Sequence, residues 1–289
     1  MQSPTIVQRS LRCAARLLLI APCALFILGC STNDRLLAPI VQSGARFEVR
    51  RGRDLLSKNQ IDWARSAFSR AVDLDPQNAD AHAGLGEIAV QRKDHAAAVE
   101  HFRSAVKYDP GSYNYAITLA DFLRNGLGEF GDENAINSTM RAYDYAHHLQ
   151  PDRIEPLVAM AMCQRLLGEY DVAMKSIQEA LRINPSSGAA HNEKASIYQA
   201  RAEYRNALAE YHQALELNPN DLDAHNGCGE IYTLLARSRG TKGSLNREQA
   251  LAHFRRSLQI SERQPRIREM IDALAPYEYR GVSVSEQGK

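Results

Sequence analysis

Residues 180–185 read Ala-Leu-Arg-Ile-Asn-Pro, and 34 residues later residues 214–219 read Ala-Leu-Glu-Leu-Asn-Pro. Outward from this pair, the same phrase closes at Pro76 (Ala-Val-Asp-Leu-Asp-Pro), Pro110 (Ala-Val-Lys-Tyr-Asp-Pro) and Pro151 (Ala-His-His-Leu-Gln-Pro). The five prolines are therefore 34, 41, 34 and 34 residues apart. Self-similarity at such a period marks a repeat architecture, in which one supersecondary unit stacks on the next. Ile177, Ala180 and Leu181 show the i, i+3, i+4 stripe of an amphipathic helix. A proline then ends that helix because it cannot continue the backbone ladder. No stretch alternates strongly enough to demand a sheet.

The register extends through the unit. Small residues hold its eighth position (Gly52, Gly86, Ala120, Ala161, Ala195, Gly229), its twentieth (Ala64, Ala98, Thr139, Ala173, Ala207, Ala250) and its twenty-seventh (Ala71, Ala105, Ala146, Ala180, Ala214, Ser257). The twenty-fourth is large: Phe68, Phe102, Tyr143, Ile177, Tyr211, Phe254. Helix axes approach to about 8–10 Å only where side chains are small, with a bulky neighbour filling the gap beside them.

A 34-residue unit with this ending resembles the tetratricopeptide repeat. The resemblance implies an all-α, right-handed solenoid of about six helix-turn-helix repeats, at 45–78, 79–112, 113–153, 154–187, 188–221 and 222–264. One hairpin cannot cover its own apolar face, so stability comes from stacking. Residues 265–275 predict a capping helix with Ile267, Met270, Ile271 and Leu274 in one stripe, followed by a polar tail over 276–289.

Two units are longer than the rest. The third holds seven extra residues around 125–134, the sixth nine around 238–246, and insertions in solenoids map to loops on one face. The first insertion spells Gly126-Leu-Gly128-Glu-Phe-Gly131, formally GxGxxG, but that motif cradles a dinucleotide only between a strand and a helix, and here it follows a helix. A helix-ending loop is the expected reading, with a nucleotide sensor or enzyme as the remote alternative. The second insertion, 237–247, is basic and suits a solvated loop or contact with an anionic ligand.

The chain's first 29 residues carry Arg9, Arg12 and Arg16 and no acid, then an uncharged run from Leu17 to Gly29. Thirteen apolar residues fall short of the about twenty that span a bilayer and suit an export signal. Ile27-Leu28-Gly29-Cys30 resembles the lipobox of bacterial lipoproteins. That resemblance implies removal of 1–29, acylation of Cys30, a lipid-anchored tether over 30–44 and, with Ser31 in place of Asp, residence at the outer membrane facing the periplasm. Among 289 residues, 35 Lys+Arg balance 34 Asp+Glu, and without the signal the remainder is at −2. No basic excess points to nucleic acid.

No spacing pairs a nucleophile with a base, so neither catalysis nor a cofactor is expected. His82, His191 and His225, each fourth in its unit, stand too far apart along a stack to share a metal. Cys163 and Cys228 lie two units apart and are expected as buried free thiols.

What remains is a surface. In the resembled family, positions 2, 5, 9 and 12 of the first helices face a concave groove. Carried over, they give as partner-binding candidates Arg46, Arg53, Glu87, Asn114, Asp121, Arg124, Val158, Met162, Arg165, Asn192, Gln199, Asn226 and Glu230. Asn amides offer donors and an acceptor, so Asn192 and Asn226, one unit apart, suit the backbone of an extended peptide. The Lys/Asn/Arg clamp of chaperone-binding relatives is missing. The expectation is a membrane-anchored protein-binding scaffold similar in architecture to the pilot lipoproteins of type IV pili and secretion systems. The alternative is an adaptor for cell-wall hydrolases or polysaccharide export. Oligomeric state is not legible.

Overall fold

The computed structural model describes residues 34–127, 132–238 and 244–274. Among these the chain is all-α, with thirteen helices and no strand. In chain order they are α1 (Asp34–Ser57), α2 (Ile61–Leu74), α3 (Ala79–Gln91), α4 (His95–Tyr108), α5 (Tyr113–Asn125), α6 (Glu133–Leu149), α7 (Glu155–Leu166), α8 (Tyr170–Ile183), α9 (Gly188–Ala200), α10 (Tyr204–Leu217), α11 (Leu222–Ser238), α12 (Ser244–Ile260) and α13 (Pro265–Leu274). They fall into two compact units, Met1–Asp109 and Pro110–Lys289.

In the first unit the α1/α2 hairpin and α3 close around Phe68, whose ring is fully buried with Ala64, Ala71, Ala81 and Ile88. Gly52 of α1 and Gly84 of α3 both lie against that ring, where a β-carbon would collide with it. The large twenty-fourth residue is thus clasped by the eighth position of its own hairpin and the sixth of the next. The second unit repeats this device. Gly227 lies against Tyr211 and Gly229 against Phe254, and Ala195, Ala207, Ala214 and Cys228 complete the core around Tyr211. Helix α13 covers the last hairpin with Ile267 and Leu274 buried against Ala250 and Phe254, assisted by Met270 and Ile271.

Helix ends follow from local chemistry. Asn78, Asp94, Ser112, Asp132 and Ser187 each accept a hydrogen bond from the backbone N–H three residues on, capping the next helix. The residue before three of the closing prolines is extended (Asp75 φ −135°, Asn184 φ −134°, Asn218 φ −141°), because proline disfavours the helical region for its predecessor. The turn inside each 34-residue hairpin uses a left-handed residue at one repeat position: Asn59, Lys93, Gly168 and Ala202, with φ of 57°, 61°, 78° and 59°.

Two differences from expectation stand out. Helix α1 starts at Asp34, so residues 34–44 of the expected tether are helical and run directly into the first repeat helix. At its end this stretch meets the second helix: a β-carbon at Gly44 would lie 3.4 Å from Leu74 Cδ1, at the end of α2. Both insertions are also taken up partly as helix. α6, α11 and α12 have 17 residues each, against 14 in α2, α4, α8 and α10. Buried Leu127 and Ile136, packed with Cys163, tie the ends of the third-unit insertion to the core.

Candidate functional site

The second unit carries a groove of about 610 Å³ over its first helices α7, α9 and α11, with Arg124 of α5 and Tyr211 of α10 at its margins. Helical spacing produces it: positions 2, 5 and 9 of successive first helices fall on one face. Of the sequence candidates, Arg124, Val158, Met162, Arg165, Asn192, Asn226 and Glu230 line it, together with Glu155, Ala189, Ser196 and Asp223. Three others stand apart from the lining. Asn114 is exposed on α5. Asp121 accepts the Tyr143 hydroxyl at 2.7 Å and faces Arg124 at 3.4 Å. Gln199 accepts from the Tyr211 hydroxyl at 3.0 Å and donates to Glu230 at 3.2 Å.

In the first unit, Arg46 and Arg53 border a separate cavity of about 550 Å³ with Arg50, Val49 and Asp80, where Arg53 pairs with Asp80. Glu87 is exposed on α3, outside that lining.

Three polar groove residues were not foreseen: Glu193, Tyr211 and Asp221. Glu193, only 8% exposed, meets the Arg165 guanidinium at 2.6 and 3.4 Å. Burial pushes its carboxyl up more than Arg165 pulls it down. The signal was in the register, since Glu193 occupies the sixth position, filled by Gly84, Ala159 and Gly227 in other units. Tyr211, at the large twenty-fourth position, sends its hydroxyl into the groove beside Ser196 at 3.1 Å, and burial raises it to about 12. Asp221 caps α11 by accepting from Ala224 N–H at 2.9 Å and also receives Asn192 Nδ2–H at 2.9 Å.

The two asparagines differ. Asn192 keeps its Oδ1 buried without a hydrogen-bond partner among the described residues. Asn226 is engaged at both ends, donating to Gln264 Oε1 at 2.9 Å and accepting from the Ser257 hydroxyl at 2.5 Å, so it also ties α11 to α12 and to the turn before α13.

Elsewhere, His82, His191 and His225 each send Nε2 to the carbonyl of the proline six residues back, Pro76, Pro185 and Pro219, at 3.1, 3.3 and 3.2 Å. Their Nδ1 atoms meet His101, Glu210 and His253. Among the described residues no group of three or more His, Cys, Asp or Glu could hold a metal. Cys163 and Cys228 are free and buried, their thiols pushed up by burial to about 11 and about 12. Gly126 ends α5 in ordinary helical geometry. The rest of the glycine motif, 128–131, and the core of the basic insertion, 239–243, lie outside the described residues, as does Cys30.

Family models for the tetratricopeptide repeat match residues 49–113 and 154–187, and a TPR repeat model matches 195–235. The "Cellulose synthase 2 operon protein C" of Komagataeibacter xylinus is 34% identical over 84 residues, 29% of this chain and 6% of that protein. The CTR9 homolog of Arabidopsis thaliana is 26% identical over 152 residues, 51% of this chain and 13% of its own length. The chain thus spans only a small part of these curated relatives. Among solved structures, PilF of Pseudomonas aeruginosa superposes with a TM-score of 0.57 at 15% identity, covering 81% of this chain and 99% of that one. PilW, described as a widely conserved type IV pilus biogenesis factor, gives 0.58 at 17%, covering 80% and 97%. At these identities the likeness is one of fold. Repeat models, hairpin register and fold agree: the chain is a tetratricopeptide-repeat protein, an α-helical scaffold for protein interaction.

Proposed function

We propose that this protein is a non-enzymatic scaffold, anchored to the outer membrane through acylated Cys30 and facing the periplasm, that holds an extended polypeptide segment in the α7–α9–α11 groove during pilus or secretin assembly. The observation that carries the reading is the groove itself. Apolar Val158 and Met162 lie beside the hydrogen-bonding groups of Asn192, Ser196 and Glu230, with Asn192 and Ser196 one repeat along from Val158 and Met162. Apolar contact then supplies affinity, and the polar groups fix the register of a peptide backbone. The charged head, short apolar run and Gly29-Cys30 support the anchor. Among the described residues no helix is long and apolar enough to cross a membrane. The fold shared with PilF and PilW supports the pilus assignment. The local identity to the cellulose synthase operon protein favours polysaccharide export as the second reading.

Two measurements test it. Cys30→Ala should abolish acylation and release the chain from the membrane fraction; persistent membrane association removes the anchor. A photo-crosslinker at Met162 should trap one envelope protein that a crosslinker at exposed Val172 does not, and identical products from both positions remove the groove.

A further inference from the structure

We infer that the groove over α7, α9 and α11 selects a segment carrying a lysine or arginine beside an apolar side chain. This deepens the peptide-groove reading and rests on it. The lining holds five carboxylates against two arginines, a surplus of three negative charges. That surplus already subtracts both arginines, and neither is free for an occupant. Arg165 is committed to Glu193 at 2.6 Å, and Arg124 faces Asp121, outside the lining, at 3.4 Å. Among the acids, Glu155 faces Arg153, outside the lining, at 3.7 Å, Asp221 is held by Asn192 and its cap, and Glu230 by Gln199 at 3.2 Å and Arg266 at 3.4 Å.

Asp223 makes no hydrogen bond or ion pair among the described residues, although it stands on the groove wall two residues from Asp221. Asp223 is exposed on that wall; partial desolvation, and then the Asp221 charge, push its carboxyl up, and no cation among the described residues compensates its charge. A cation from the occupant supplies that compensation, whereas an anion adds to the repulsion. Val158 and Met162 give the adjoining apolar contact, and methionine adapts to side chains of different shape. The first unit's cavity has the opposite sign, three arginines against Asp80, so the preference belongs to the second unit's groove.

The test is fluorescence anisotropy on the full chain with a short labelled peptide alternating lysine and valine, and with its twin carrying glutamate for lysine. The lysine peptide should bind at least about tenfold more tightly at low salt, with the gap narrowing several-fold as added sodium chloride screens the charges. Asp223→Lys should remove the preference without moving the melting temperature, and Asp223→Asn should remove part of it. Equal affinity for both peptides overturns the cation preference. If Met162→Arg weakens equal binding of both, the groove stands and only the charge selectivity falls. If neither Met162→Arg nor Asp223→Lys changes binding of the lysine peptide, the groove reading falls with it.

Discussion

His225 and His253 face each other Nδ1 to Nδ1 at 3.0 Å across the α11/α12 hairpin. A carbonyl only accepts, so His225 Nε2, 3.2 Å from Pro219 O, must carry the proton. With that proton on Nε2, His225 Nδ1 is the acceptor for His253 Nδ1–H. At the same repeat positions one unit earlier, His191 Nδ1 meets a carboxylate, Glu210, at 2.8 Å in place of a second imidazole. One register thus carries an imidazole–carboxylate pair and an imidazole–imidazole pair in which a further proton on His253 is disfavoured.

The acid-sensitive pair predicts a pH dependence. Burial first, then the neighbouring His225 and His212, lower His253 to about 4 from its ordinary 6.5. Because the folded value lies below the unfolded one, the stabilising contribution is present above about pH 6.5 and is lost as pH falls toward 4. With a discount for the ring's partial exposure, the loss should be about 2 kcal/mol. Thermal melts from pH 7 to pH 4 should show it, and His253→Gln should remove most of the slope.

The ring clasp predicts a sharp difference between two glycines. Gly227→Ala forces a β-carbon into the Tyr211 ring and should cost about 1–3 kcal/mol. Gly188→Ala meets only Asp221 Oδ2 at 3.8 Å at the start of α9 and should be neutral or stabilising by up to about 1 kcal/mol. Melting of the two variants side by side separates packing from backbone entropy.

The Arg165–Glu193 pair is mostly buried, with side chains 23% and 10% exposed. Arg165→Ala strands a buried carboxylate and should destabilise by about 2–4 kcal/mol, while Arg165→Met with Glu193→Leu should recover most of the loss. Full destabilisation persisting in the double variant would show that the pair contributes more than mutual neutralisation.

Left-handed turns give a prediction opposite to habit. Ala202 at φ 59° bears a β-carbon penalty that glycine escapes, so Ala202→Gly should stabilise by roughly 0.5 kcal/mol after the entropic loss. Gly168→Ala, at φ 78°, should destabilise by about 1 kcal/mol. Paired denaturant midpoints decide it.

By itself the sequence determined the helical hairpins, their 34-residue step and the small and large positions where they meet. These follow from the local 3.6-residue stripe, from proline's missing N–H and from the close approach of neighbouring helices. The clasping sixth position, visible in Gly84 and Gly227, was equally present but gains meaning only when the next hairpin supplies the ring. Tertiary structure alone decided which groove groups are available. Asn226 is drawn off by Ser257 and Gln264, 31 and 38 residues away, Glu193 sinks to meet Arg165, and Asp223 is left unpaired among the described residues. A repeat register says which face a side chain shares; only the packing of neighbouring hairpins says whether another side chain has already taken its hydrogen bonds.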